Sequence, residues 1–278
     1  MTPKIHFISG LPRSGSTLLG ALLRQNPRFH ASMTSPVGSL VNRMLEAMSE
    51  ENEYSVFITP EQKRALTLTI FSTFYEPQAE KEVIFDTNRL WCSKLSLIQE
   101  LFPGSKVICC VRNVAWIMDS IERLIRKNAF DVSRMFNASE RSTVYTRTEA
   151  LSQGGRLVGF AYNALKEAFY SEYSASLLLV DYDLLTQAPD KTLSLIYQFL
   201  QEKPFEHDFA NVEYEAEEFD NRLNTKGLHQ VRRKVEFQPR LTILPPDLFT
   251  QYDALSFWKN PSNSLANVIV AQPLEAVK

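Results

Sequence analysis

Short apolar runs alternate along this chain with longer stretches in which apolar residues recur at helical spacing. The runs at 5–9, 83–85, 106–111 and 177–180 are rich in β-branched and large apolar residues and show no clean polar alternation. That pattern predicts strands buried on both faces. The periodic stretches at 17–25, 37–48, 60–74, 90–101, 114–127, 148–173 and 191–200 predict helices. Thr59-Pro60-Glu61 and Ala188-Pro189-Asp190 read as helix starts, because proline suits the first helical position, where an N–H would have no intrahelical partner. Strand and helix in alternation, with short joins, predict an α/β class built on a doubly wound, mostly parallel sheet flanked by helices. Ligands in such folds bind at the carboxyl ends of the strands. Residues 129–147 interrupt the pattern with polar, irregular sequence that reads equally as a lid or as an ordinary solvent loop.

Composition narrows the class. At 278 residues with 44% apolar content, the chain can bury a substantial core in one domain spanning 1–278, less regular from about residue 205. A net charge of −2 argues against a general nucleic-acid or membrane-surface binder. The three cysteines, Cys92, Cys109 and Cys110, do not form a disulfide framework, and no Cys/His cluster has metal-ligand spacing, so no metal is expected. No stretch approaches the roughly 20 apolar residues of a membrane span. The short apolar run at the start lacks the layout of a signal peptide.

The most informative chemistry follows the first predicted strand: Gly10-Leu11-Pro12-Arg13-Ser14-Gly15-Ser16-Thr17. A glycine-bearing turn between a strand and a helix presents backbone N–H groups and a helix N-terminus to an anion. Gly10, Gly15 and Thr17 fit the Walker A spacing G-x-x-x-x-G-K-[ST], which makes the fold P-loop-like, but Ser16 replaces the lysine. Without that lysine the loop is poorly equipped for triphosphate transfer. It can still hold one phosphate through its N–H groups and the hydroxyls of Ser14, Ser16 and Thr17. Arg13 would add a fixed charge with a planar fork of donors suited to phosphate or sulfate oxygens.

Pro12-Arg13-Ser14-Gly15-Ser16-Thr17-Leu18 resembles the 5′-phosphosulfate loop of sulfotransferases that use PAPS (3′-phosphoadenosine 5′-phosphosulfate). It looks nearest to tyrosylprotein sulfotransferases and their bacterial relatives. The resemblance implies that the basic residue at Arg13 contacts the transferring sulfuryl group. Eukaryotic tyrosylprotein enzymes carry an N-terminal membrane anchor that is not seen in this sequence, so a soluble, bacterial, cytoplasmic protein is expected.

Two further segments extend the resemblance. Val111-Arg112-Asn113, with Ser120 eight positions after the arginine, resembles the family's 3′-phosphate motif, which implies that Arg112 and Ser120 hold that group. Leu178-Leu179-Val180-Asp181-Tyr182-Asp183-Leu184-Leu185, followed by Pro189 and Phe199-Leu200, resembles the strand that ends beside the nucleotide, implying a donor-facing Tyr182. Acidic residues then cluster at Glu213, Glu215, Glu217, Glu218 and Asp220, and basic ones at Arg222, Lys226, Arg232, Arg233, Lys234 and Arg240. A charge run is ordinarily solvated, but Lys226-Gly227 partly resembles the basic element that closes over the 3′-phosphate, which makes Lys226 and Arg232 candidate donor ligands.

The predicted reaction moves a sulfuryl group from PAPS, leaving PAP, to the hydroxyl of an acceptor: a peptide tyrosine, a sugar, a lipid or a small alcohol or phenol. A base near the acceptor is needed. Tyrosylprotein enzymes carry a glutamate about 20 residues past the loop arginine, where this chain has Ala31-Ser32-Met33-Thr34; cytosolic sulfotransferases use a histidine at the second strand's end, where this chain has Phe85-Asp86-Thr87-Asn88-Arg89. Asp86 is the expected substitute, with His30 and His229 behind it; an Asp86 braced by Arg89 or Arg13 is the structural alternative. Two other readings stay open: a P-loop kinase of small molecules and a non-catalytic nucleotide-binding module. Oligomeric state is not legible.

Overall fold

A computed structural model describes residues 3–128, 130, 135–214, 220–221 and 229–270. Its frame is a six-stranded sheet in the order β2-β3-β1-β4-β5-β6, and every strand pair is parallel. The strands are β1 (Lys4–Gly10), β2 (Phe29–Ala31), β3 (Val83–Thr87), β4 (Val107–Val111), β5 (Leu177–Asp181) and β6 (Asn267–Ile269). β2-β3, β4-β5 and β5-β6 are consecutive in sequence, while β1 sits between β3 and β4; parallel pairing requires a crossover between partners, and helices supply the crossovers.

The absence of alternation in the strands has a direct cause. Successive side chains point to opposite faces, and here both faces are covered. Phe7, Val107, Cys109, Leu177 and Leu179 belong to one core; Ile8, Ile108, Cys110, Leu178 and Val180 belong to the other. The first core is closed by α2 (Val37–Ala47), α3 (Pro60–Phe74), α4 (Leu95–Leu101), α5 (Val114–Lys127), α6 (Val144–Ser152), α7 (Leu157–Phe169) and α10 (Pro246–Asp253). The second is closed by α1 (Ser16–Leu23) and α9 (Pro189–Leu200), with the short α8 (Tyr182–Gln187) leading into α9. Each fully buried Phe or Leu contributes roughly 1.5–3 kcal/mol of burial free energy, which makes this double-sided core the main term holding the sheet.

The predicted helix starts at Pro60 and Pro189 are the observed ones. Thr59 accepts from the Gln62 N–H while Gln62 reaches back to the Thr59 N–H, a reciprocal cap that sets the start of α3. Three expectations need correction. The continuous helix over 148–173 is two helices, α6 and α7, separated at Gly154-Gly155. A Cβ on Gly159 would lie 2.2 Å from the Gln153 carbonyl, so α7 packs back against the end of α6. The helix over 90–101 begins as a 3-10 segment, Arg89–Lys94, before α4. The polar segment 129–147 becomes helical at Val144; of the remainder, 129 and 131–134 lie outside the described residues. Met135 and Phe136 are tied down by Arg156 and Arg141.

β2 and β6 were missed because each is three residues long and pairs on one side only. α8 and α10, of six and eight residues, are too short for a periodic signal.

Candidate functional site

The loop after β1 is bent by its backbone. Gly10 (φ 106°) and Gly15 (φ 94°) occupy the left-handed region, and so does Arg13 (φ 58°), where a side chain costs energy and is held by its surroundings. At Gly10 a Cβ would stand 2.2 Å from the Cys110 carbonyl, so the loop can lie against β4 only with glycine there. The Leu11 N–H bonds the same carbonyl at 2.9 Å. Ser14 is 1% exposed. Its Oγ contacts the carbonyls of Leu11 and Cys110, so this hydroxyl braces the loop internally instead of facing a ligand, which corrects its expected direct role. Arg13, Gly15, Ser16 and Thr17 line the cavity above. α1 starts at Ser16 with no side-chain cap and no acidic residue in its first turn, so its N-terminal N–H groups and the positive end of its dipole are available to an anion.

That cavity measures about 1130 Å³ and opens at the carboxyl ends of β1, β3, β4 and β5. Arg112 leaves the end of β4 and lays its guanidinium over the Tyr182 ring, 4.3 Å from the centroid. Tyr182 begins α8 just past β5 and packs across the loop, so that a Cβ on Gly15 would lie 2.7 Å from its ring. Ser120, two turns into α5, accepts a hydrogen bond from Arg13 Nε at 3.1 Å. Thus Arg13, Arg112, Ser120 and Tyr182, up to 169 positions apart, form one wall.

Its electrostatics are unbalanced. Burial, followed by the neighbouring charge of Arg112, pushes the Arg13 pKa below the usual guanidinium range. Arg112 Nε is buried with no hydrogen-bond partner among the described residues, and Asp183 Oδ1, also without one, stands 4.0 Å away, too far to bond. Two guanidinium groups facing one cavity, one of them with an unsatisfied Nε, fit a phosphate-bearing ligand.

Asp86 lies apart from this cavity: it is 0% exposed and does not line it. Its oxygens accept from Ser35 Oγ at 2.8 and 2.9 Å, Tyr75 Oη at 2.7 Å and Trp91 Nε1 at 2.7 Å. Burial pushes its pKa up despite these donors. The expected base is therefore an internal brace, and neither Arg89 nor Arg13 is its partner. His30 on β2 packs edge-on against Tyr75 and lies off the cavity. Lys226 lies outside the described residues; Arg232 lines the cavity and is exposed.

Further residues complete the walls. Arg89 and Arg156 face in from the β3 and α7 side, and the segment around 230–240 crosses opposite. Asp119, wholly buried beside Ser120, pins that segment through Arg240 at 2.8 Å and the Ile243 N–H at 2.8 Å. His229 also lines the cavity; its Nδ1 is 2.6 Å from Asp220 Oδ1, and its N–H donates to Asp220 Oδ2 at 3.0 Å. His229 is a candidate base from the sequence, but no spacing rule marks Asp220 as its partner; Asp220 stands out only as part of the acidic cluster.

The sulfotransferase family model matches residues 6–207. None of the curated proteins compared matches the chain. Among solved structures, the sulfotransferase domain of the Synechococcus PCC 7002 olefin synthase is similar at 18% identity and a TM-score of 0.52, covering 91% of this chain and 94% of that one. A sulfotransferase from Alicyclobacillus acidocaldarius is similar at 14% identity and a TM-score of 0.51, covering 80% of this chain and 90% of that one. At these identities the structures speak for the fold, while the family match spans most of the chain and all of the loop, Arg112, Ser120 and Tyr182. The chain belongs to the sulfotransferase family.

Proposed function

We propose that this protein transfers the sulfuryl group of PAPS to the hydroxyl of an acceptor. One observation carries the reading: a monophosphate-sized loop at the end of β1 and a second cationic face, Arg112 with Ser120 and Tyr182, open into one cavity. A donor with phosphate at both its 3′ and 5′ positions uses two such faces; a nucleoside triphosphate would call for a loop lysine, and Ser16 stands there.

In this reading the loop N–H groups, the start of α1 and Arg13 hold the 5′-phosphosulfate and stabilise the charge that develops on the leaving phosphate. The hydroxyls of Ser16 and Thr17 supply further donors. Arg112 and Ser120 hold the 3′-phosphate, and Tyr182 presents its ring to the nucleotide. Arg13 bridges the two faces through Ser120. Residues 1–278 are read as one sulfotransferase domain, and a cytoplasmic location suits three cysteines that form no disulfide.

Calorimetry tests the donor. PAP is expected to bind without Mg²⁺, and ATP with Mg²⁺ to bind far more weakly. Tight ATP·Mg²⁺ binding with no PAP binding would defeat the proposal. A labelled-PAPS screen over peptide, glycan and small-molecule acceptors then identifies the acceptor class.

A further inference from the structure

We infer that His229, oriented by Asp220, is the base that removes the acceptor's proton; this rests on the sulfotransferase reading of the same cavity. With Asp86 buried as a brace and His30 off the cavity, His229 is the one of the three expected proton acceptors that lines it. His229 lines the cavity that the phosphate loop and Arg13 also line. Asp220 is 3% exposed and grips the histidine twice, through the ring Nδ1 at 2.6 Å and the backbone N–H at 3.0 Å. A carboxylate at Nδ1 keeps the proton on that nitrogen, which leaves Nε2 as the basic one. A base held by a third group is the arrangement that general-base catalysis requires.

The charges around the ring keep it ready. Burial lowers the His229 pKa below its ordinary 6.5; Asp220 raises it, and the cations Arg13 and Arg89 lower it again, leaving it lowered overall. The imidazole is therefore neutral at pH 7. His229 shares the cavity lining with Arg13 and the loop residues Gly15, Ser16 and Thr17, so the dyad opens onto the space where the sulfuryl group would lie.

The step balances without any further reactant. As the acceptor oxygen forms its bond to sulfur, its proton moves to His229 Nε2. The bond from sulfur to the 5′-phosphate oxygen breaks, and its electron pair stays on that oxygen, opposite Arg13 and the loop N–H groups. The imidazolium, stabilised by Asp220, then releases its proton to solvent. Asp220 is a positioning residue in this scheme; His229 is the catalytic one.

The test uses the full-length protein, PAP for binding, and labelled PAPS with a panel of alcohols, phenols and water as acceptors. His229→Ala is expected to lower kcat by at least about 100-fold, to keep the Kd for PAP within about threefold, and to regain turnover when imidazole is added. Two variants read the electrostatics. Asp220→Asn removes a charge that raises the His229 pKa, so the acid limb of kcat/KM moves to lower pH as kcat falls. Arg89→Met removes a charge that lowers it, so the acid limb moves to higher pH. A purely structural role would move neither limb in this opposed manner. Near-wild-type kcat in His229→Ala overturns the inference, as does a loss of PAP binding as large as the loss of turnover. A wild-type protein that binds PAP and turns over no PAPS across the panel overturns it too. If the wild type fails to bind PAP, the donor reading falls, which is a separate result.

Discussion

Arg13 Nε donates to Ser120 Oγ at 3.1 Å, joining the phosphate loop to the middle of α5. The two anion-facing regions are therefore mechanically one. Ser120→Ala removes the anchor that steadies Arg13 and, in the proposed reading, a direct donor to the 3′-phosphate. A hydrogen bond to a charged group contributes about 1.5–3 kcal/mol, so PAP binding is expected to weaken at least tenfold by calorimetry. A change below twofold would exclude Ser120 from the donor site.

Gly15 tests the loop geometry. Gly15→Ala forces a side chain into φ 94° and sets its Cβ 2.7 Å from the Tyr182 ring. Gly104 offers a control: it has φ 84° and nothing within 4 Å of its added Cβ. Both variants are expected to lose about 1–2 kcal/mol of stability in urea unfolding, from the left-handed backbone. Only Gly15→Ala is expected to lose PAP affinity, because only there does the ring of Tyr182 have to shift. Equal PAP affinity in the two variants would count against Tyr182 as part of the donor wall.

Asp86→Asn separates brace from base. Tyr75 donates to one carboxylate oxygen and Trp91 to the other, so the asparagine keeps an acceptor for one of them and turns its NH₂ toward the other. Leaving a buried donor unpaired is expected to cost about 1–3 kcal/mol. Denaturant midpoints should fall accordingly, while turnover per folded molecule stays within about threefold of wild type. A stable variant without turnover would return Asp86 to the mechanism.

His6 sets a pH dependence of stability. Its Nδ1 accepts the Lys106 N–H at 3.1 Å, and burial, only partly offset by Glu202, lowers its pKa to about 4. The folded state therefore favours the neutral ring. Above the unfolded value of 6.5 this stability is fully present, and it is lost as pH falls through the interval from 6.5 to about 4. The loss amounts to about 3 kcal/mol. Urea midpoints measured between pH 7 and pH 4.5 should fall, and His6→Asn, which can keep an acceptor near that N–H, should flatten the decline. An unchanged slope in the variant would assign the acid sensitivity to other groups.

Much of the site was legible because it is local. Gly10, Gly15 and Arg13 sit at fixed offsets after an apolar strand, and Arg112 and Tyr182 stand just past β4 and β5. In a parallel sheet all strand ends of one polarity meet at one edge, so residues at those ends converge once the strands are identified. Ser14 was only half legible: its place in the loop followed from sequence, but its hydroxyl turns inward to the carbonyls of Leu11 and Cys110. The two-part break between α6 and α7 was less visible, because helical periodicity runs through Gly154-Gly155 while the backbone does not.

The amino-acid sequence by itself determined the sheet's central strands, the lysine-free anion loop and the cationic residues that meet above it, because each depends on periods and offsets within a few residues. Tertiary packing is what sets Asp86 apart from His229: the first is buried among donors and the second lines the cavity. Whether a carboxylate faces a cavity or a ring of buried donors is set by what packs around it, here Ser35, Tyr75 and Trp91, up to 51 positions away. His229, a weaker candidate from the sequence, gains weight because chain packing pairs it with buried Asp220 and sets it in the cavity that Arg13 also lines. Those contacts arise from long-range burial, which no spacing along the chain encodes.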